Sequence, residues 1–215
     1  MAFIPAEVLR QSFEVYGKFY KYDLNGQIMN MRSHVQIVRK EIQAEKPDCT
    51  VIMINPGSWN PSAQDSCQEK GGLIRAKDNQ TQHQLMRLMD RMGYNRLDVI
   101  NLSDICEGNL KKFFNRMDNF QSLEGDRHSI FTKEREAELL EHIDHEIPII
   151  AGWGTDARIQ RLAQQALRIL GERKLYGIKH EKHPYYYHPK PPVIKDRIRW
   201  LNRMEAQLKG EAVLV

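Results

Sequence analysis

The sequence predicts a three-layer α/β/α sandwich built on a central, mainly parallel sheet of four to five strands. Three observations carry this expectation. Short apolar runs, of which Val51-Ile-Met-Ile54 is the clearest, read as strands covered on both faces. Helical patterns alternate with these runs, as they do where helices flank a parallel sheet. Two strands exit through asparagines, Asn55 and Asn101, and a third precedes a histidine-rich loop. Strand carboxyl ends are where open α/β sheets bind ligands.

With 215 residues, 41% hydrophobic and 28% charged, the chain suits one folded domain with a sizeable core, spanning residues 1–215. Residues 1–47 would supply N-terminal helices and a hairpin, and residues 48–208 the core. No apolar run approaches the ~18 residues of a membrane span, and no secretory signal is visible at the N-terminus. Cys49, Cys67 and Cys106 are odd in number and far apart, which argues for a reducing compartment, expected to be the cytoplasm. A monomer is expected. The net charge of +4 permits a polyanionic partner without demanding one. Its distribution says more: from Glu172 to Arg203 there are nine Lys/Arg against three Asp/Glu, interleaved with five aromatic residues. That mixture suits phosphate contact with base stacking, and equally a solvated helix face over core aromatics.

Taken in order, Val8, Leu9 and Phe13 mark a short helix. Asn25-Gly26 between Phe19–Leu24 and Gln27–Met29 is a strong hairpin signal, because both residues tolerate positive φ. Ser33-His-Val-Gln36 fits a capping box and predicts a helix with Val35, Val38 and Ile42 on one face, ending before Pro47. The central strand follows. Residues 60–79 lack periodicity, and a loop of that length is usually functional or mobile. Thr81-Gln-His-Gln84 predicts a second capped helix, with Leu85, Leu88, Met89 and Met92 inward and a stop at Gly93. Leu97–Leu102 is the next strand.

Residues 104–126 read as irregular, anchored by Phe113, Phe114 and Phe120. Thr132 would cap an acidic helix burying Ala137, Leu140 and Ile143. Ile147–Ala151 is a third apolar strand, and a helix capped at Thr155 or Asp156 runs to Gly171. Leu175–Ile178 is a fourth strand. The loop from Lys179 to Lys190 then leads into a final helix carrying Ile194, Ile198, Leu201 and Leu208.

The chemistry-bearing residues gather at the strand exits. No nucleophile elbow and no phosphate-binding Gly-x-x-x-x-Gly-Lys loop is present. His180, His183 and His188 share one loop without a helix to fix ligand geometry, so no metal and no cofactor is expected. For Asn55 and Asn101, a capped strand end and a functional role are both open.

Ile54-Asn55-Pro56-Gly57 after an apolar strand resembles the first motif of the mismatch-specific branch of the uracil-DNA glycosylase superfamily. Leu97-Asp-Val-Ile-Asn101 is similar to the strand whose asparagine reads the base in the uracil-excising branch. Ile149-Ile-Ala-Gly-Trp153-Gly154 and His183-Pro184 resemble that superfamily's Trp-Gly stretch and the start of its His-Pro-Ser motif. The likeness spans roughly residues 48–203. The same segments resemble an uncharacterised bacterial and phage family with an Asn-Pro strand end and a late His-Pro loop.

The superfamily resemblance implies a monofunctional DNA glycosylase. Asn55 would position the attacking water, while Asn101 and His183 would stabilise the departing base. Gly57, Ser58 and Trp59 would line the base site. Asp65 is a further candidate for activating water, and His188-Pro189 is a second candidate for the histidine motif. A tyrosine from Tyr185, Tyr186 and Tyr187 would fill the gap left by a flipped base, and Lys182, Lys190, Lys195 and Arg197 would hold phosphates. Tyr185 replaces the motif's serine. Gly57 stands where uracil-excising members carry a tyrosine, so a bulky or 5-substituted pyrimidine is expected to fit, in DNA repair or in defence against modified phage DNA. A nucleoside or nucleotide hydrolase, and a non-catalytic nucleic-acid-binding module, are the competing readings.

Overall fold

The computed structural model describes residues 3–62, 72–144 and 146–210. Helix α1 (Ala6–Ser12) buries Leu9 and gives way at Phe13 to the long strand β1 (Phe13–Leu24). Asn25 and Gly26, both at positive φ, turn the chain back into β2 (Gln27–Arg39), which pairs antiparallel with β1 along its whole length. The helix expected from Ser33 onward is therefore a strand. A four-residue match to a capping box lost to the register of a hairpin that extends beyond its turn.

Strand β3 (Cys49–Met53) is fully buried, as its apolar run predicts. After β4 (Leu73–Arg75) comes α2 (Gln80–Met92), whose capping box is formed by Asn79 and Gln82 rather than by Thr81 and Gln84. It stops at Gly93. Strand β5 (Arg96–Asn101) leads to α3 (Leu110–Glu124), a helix where irregular chain was expected; Phe113, Phe114, Met117 and Phe120 form its buried stripe. The helix expected at Thr132 is a 3₁₀ turn followed by the short α4 (Glu136–Leu140). Thr132 makes no capping bond, and Leu139 points inward while Leu140 is exposed. Then follow β6 (Ile149–Ala151), α5 (Gln160–Leu170), β7 (Leu175–Tyr176) and α6 (Ile194–Lys209).

These strands form one seven-stranded mixed sheet in the order β4-β1-β2-β5-β3-β6-β7. The expected mainly parallel sheet of four to five strands is overturned. β5, β3, β6 and β7 pair in parallel but are short, whereas the long hairpin, β4 and the β2–β5 junction are antiparallel. Helices α3, α4 and α5 pack on one face with Ile52, Ile100 and Trp153; α1, α2 and α6 pack on the other with Val51, Met53 and Val99.

A bulge in β2 changes which face its side chains reach. Lys18 faces His34 and Phe19 faces Arg32, so Ser33 is the extra residue. Met29 and Met31 face the α3 side, but beyond the bulge Val35 and Ile37 face the α2 side. The phase shift brings Arg32 and Val35 to the same face, the kind of re-aiming bulges provide beside functional sites. Gly17 makes room for this arrangement. A Cβ there would sit 2.7 Å from Phe19 Cε2 and 3.3 Å from Arg32 Cδ.

Candidate active site

Pairing of β3 with β5 continues beyond the strands proper, with Leu102 N donating to Met53 O at 2.8 Å and Ser103 N to Ile54 O at 3.1 Å. Asn55 therefore emerges beside the end of β5. Its Nδ2 donates to Glu107 O at 2.8 Å and to Ile105 O at 3.3 Å. Both bonds fix the amide so that Oδ1 is the group left to accept. Because β2 runs antiparallel to β5, the bulged half of β2 reaches the same edge, and Arg32 arrives beside the strand exits.

A cavity of about 160 Å³ opens there. Apolar side chains of Val35, Met53, Leu85 and Val99 form its walls, and Asn55, Asn101, Arg32, His188 and Gln82 supply its polar groups. Asn101 is 1% exposed, and its Nδ2 has no partner. Arg32, 3% exposed, gives Nη2 to Pro56 O at 2.7 Å and Nη1 to Asn60 Oδ1 at 2.9 Å, while its Nε is unpartnered. Phe19 lies under the guanidinium, 5.8 Å from its centroid, and Trp59 packs edge-on against Phe19. The N-terminus of α2 borders the cavity through Asn79, Thr81 and Gln82. Gly57, at φ 75°, also lines it, and a Cβ there would meet nothing within 4 Å.

His188 Nδ1 accepts from Lys190 N at 3.0 Å, so its proton sits on Nε2. Burial pushes the ring down to about 4, so it is a neutral N–H donor at physiological pH. Arg32 is lowered by burial only to about 10 and stays charged. Among the described residues lining the cavity, Arg32 alone then carries a charge.

His188 and Ile54 also line a second, larger groove of about 840 Å³. Its walls include Leu110, Trp153, Ile178, Tyr187 and Trp200, with Lys190, Arg199 and Arg203 as cations. The groove's two acids are engaged: Asp156 pairs with Arg158 at 2.7 Å and Asp196 with Arg199 at 2.8 Å. Trp153 donates Nε1 to Pro184 O, and Gly154 N donates to Tyr186 O, which fastens the histidine loop to the end of β6. The Trp-Gly and His-Pro segments thus pack on one another.

The expected site residues divide accordingly. Asn55, Gly57, Asn101 and His188 come together. His183 is exposed and lines neither cavity, so the loop's inward histidine is His188. Ser58 is exposed and Trp59 braces Phe19, neither lining the small cavity. Asp65 lies outside the described residues. Tyr185 and Tyr186 are core residues, 8% and 3% exposed, which removes them as wedges; Tyr187 is exposed at the groove. Arg197 is committed to Pro191 O and Pro192 O. Lys190 lines the groove, whereas Lys182 and Lys195 are exposed elsewhere. Arg32, Arg199 and Arg203 were not singled out from the sequence. The break in phase between Met29-x-Met31 and Val35-x-Ile37 was the signal for Arg32.

Ser103, His128 and Asp126 form a chain that imitates a nucleophile relay, with Ser103 Oγ 2.9 Å from His128 Nδ1 and Asp126 4.0 Å from its Nε2. Ser103 and His128 are fully buried and line neither cavity, so the chain is a core tie. No group of three or more His, Cys, Asp or Glu able to hold a metal occurs among the described residues. Among those residues, no helix is long and apolar enough to cross a membrane.

A family model described as a protein of unknown function (DUF1643) matches residues 37–190, most of the chain. The chain belongs to the DUF1643 family. The span matched by DUF1643 contains Asn55, Asn101 and His188, and leaves Arg32, Arg199 and Arg203 outside it. No curated protein matches the chain.

The buried histidines make stability acid-sensitive. Burial lowers His34 to about 3 and His128, like His188, to about 4. Between pH 6.5 and 4 the unfolded chain takes up protons that the fold refuses, so stability falls as pH drops. Asp104, raised by burial to about 6, acts in the opposite direction but is one group against three. Urea denaturation followed by tryptophan fluorescence is expected to show a loss on the order of 4 kcal/mol between pH 7 and pH 5.

Proposed function

We propose that the protein is a DNA N-glycosylase that hydrolyses the bond between a flipped-out pyrimidine and its sugar. The observation that carries this reading is a pair of neighbouring cavities with two lining residues in common. A small, apolar-walled chamber ending in amide and imidazole groups shares Ile54 and His188 with a cationic, aromatic-walled groove. The chamber suits one planar ring, and the groove suits the sugar-phosphate strand from which that ring departs. The resemblance of Ile54–Gly57 and Leu97–Asn101 to the uracil-DNA glycosylase motifs agrees with this use of the two strand ends.

The chemistry assigned to each residue follows from its bonding. Asn55, its Nδ2 held by two carbonyls, offers Oδ1 to a water O–H and so orients the water without removing its proton. Glycosidic cleavage moves negative charge onto the base. Asn101 Nδ2 and His188 Nε2 are donors already desolvated and fixed, which is when such donors are most effective. Open space beyond Gly57 supports tolerance for a 5-substituent on the ring. Lys190 and Arg203 would hold phosphates, and Tyr187 is the exposed ring available to fill the vacated stack.

Substrate length separates this reading from that of a nucleoside hydrolase. Base release is expected to be negligible from free nucleosides and to rise with DNA length. Charge-neutral replacement of Lys190 and Arg203 together should reduce it and flatten its salt dependence. Equal rates on nucleosides and on DNA, with no effect of those changes, would favour the nucleoside hydrolase instead.

A further inference from the structure

We infer that Arg32 is the charge-stabilising residue of the small cavity, serving a ring that leaves as an anion; this rests on the cavity being a base site. Arg32 is an unusual group to find there. Its two direct partners, Pro56 O and Asn60 Oδ1, are neutral, and no carboxylate lies within ion-pair distance of it among the described residues. Asp104, the acid that acts on it from a distance, accepts at Oδ2 from Arg135 at 2.7 Å and from Tyr20 at 2.8 Å, and its Oδ1 makes no hydrogen bond. Burying a cation without a counter-ion is costly. A neutral amide would meet the two oxygens without carrying that charge.

The other groups that line the cavity add to the positive potential. The N-terminus of α2 borders the cavity, Asn101 Nδ2 is an orphaned donor, and His188 presents an N–H. The β2 bulge and the missing side chain at Gly17 keep Arg32 in place, stacked on Phe19. Walls of Val35, Met53, Leu85 and Val99 suit a flat ring and are a poor match for a phosphate.

In the hydrolytic step the C1′–N bond breaks and its electron pair stays on the ring. The water oxygen bonds to C1′, and the proton it sheds goes to the ring nitrogen or to solvent. Until that proton arrives, the ring holds a full negative charge next to a guanidinium that forms no ion pair among the described residues. Ground-state bases are neutral, so the attraction is specific to the departing form, which is the condition for catalysis.

The test is calorimetric binding of free bases at pH 7.5, with no turnover required. Uracil and 5-hydroxymethyluracil are the neutral probes, and 5-nitrouracil, whose ring N–H is far more acidic, is the anionic one. At that pH Arg32 is charged, His188 is neutral, and Cys106, which also acts on Arg32, is held as a thiol by burial that pushes it up to about 12. Wild type is expected to prefer 5-nitrouracil by on the order of tenfold to a hundredfold. Arg32→Met should erase that preference while leaving uracil affinity within a few-fold, and Arg32→Lys should keep part of it.

Equal affinity of wild type for anion and neutral base overturns the inference. So does a uniform weakening of all three bases by Arg32→Met, which would mark a purely structural role. If Arg32→Met does not fold, the wild-type ratio decides. Failure to bind any of the bases removes the base-cavity reading itself, and the inference with it.

Discussion

Replacing Asn101 with alanine is expected to lower the rate of base release by about a hundredfold to a thousandfold while stability stays level or rises. The two effects have one origin. The Nδ2 of Asn101 is buried at the end of β5 without a partner. An orphaned buried donor costs a fold roughly 1 to 3 kcal/mol. Truncating the side chain removes that cost, at the risk of a small void. In the proposed reaction the same donor would meet a charge that exists only during bond cleavage, and loss of one such donor typically costs about 10²–10³ in kcat. KM should change little, because a neutral ground-state base gains less from the contact. Single-turnover rates and urea midpoints measured on one preparation check both halves. A destabilised Asn101→Ala variant with unchanged rate would make Asn101 an ordinary strand-end residue.

The second large effect concerns the ion pair below the site. Asp104 is fully buried, and its Oδ2 accepts from Arg135 Nη1 at 2.7 Å and from Tyr20 Oη at 2.8 Å. Arg135 also grips Glu138 with two bonds. Burial pushes the Asp104 carboxyl up to about 6 even with the guanidinium beside it. Arg135→Met should cost about 3 to 5 kcal/mol at pH 8, where the remaining buried carboxyl must either stay charged without its cation or take up a proton. That is a large part of a typical domain's total stability. At pH 5 the variant's deficit should shrink, because a protonated Asp104 needs no cation. Denaturation at the two pH values measures the difference directly. The backbone of Asp104 also receives the N–H of Arg32 at 2.9 Å, so this pair underlies the strand that carries the cavity's charge.

Much of the site was legible because it lies at the ends of apolar strands. Val51–Ile54 is an unbroken apolar run and Leu97–Ile100 is apolar apart from Asp98; both read as buried strands, and an asparagine stands directly after each. Convergence of Asn55 and Asn101 needed only that β3 and β5 be parallel neighbours.

What was missed traces largely to one segment. Ser33–Gln36 carries a cap-like pattern, and reading a helix there hid both the antiparallel half of the sheet and Arg32. The alternation of Val35 and Ile37 argued for a strand, but the bulge at Ser33 breaks its phase with Met29 and Met31, so no single period runs through the stretch. Helix α3 was missed for a different reason. Its apolar stripe is all aromatic and Met, interrupted by charged and amide residues that read as loop. In the histidine loop, only the backbone decides which ring turns inward: His188 is tied to Lys190 N, and His183 is left in solvent.

The central claim, that the two neighbouring cavities serve hydrolysis of a base from DNA, is tested most directly by mass-spectrometric detection of free base. Duplexes would carry uracil, thymine mismatches or 5-substituted cytosines and uracils, with alkali cleavage reporting the matching abasic sites. The account predicts equal amounts of free base and abasic site from at least one duplex, abolished by Asn55→Ala, with DNA binding retained. Tight DNA binding without base release from any duplex would contradict it and identify the two cavities as a binding surface.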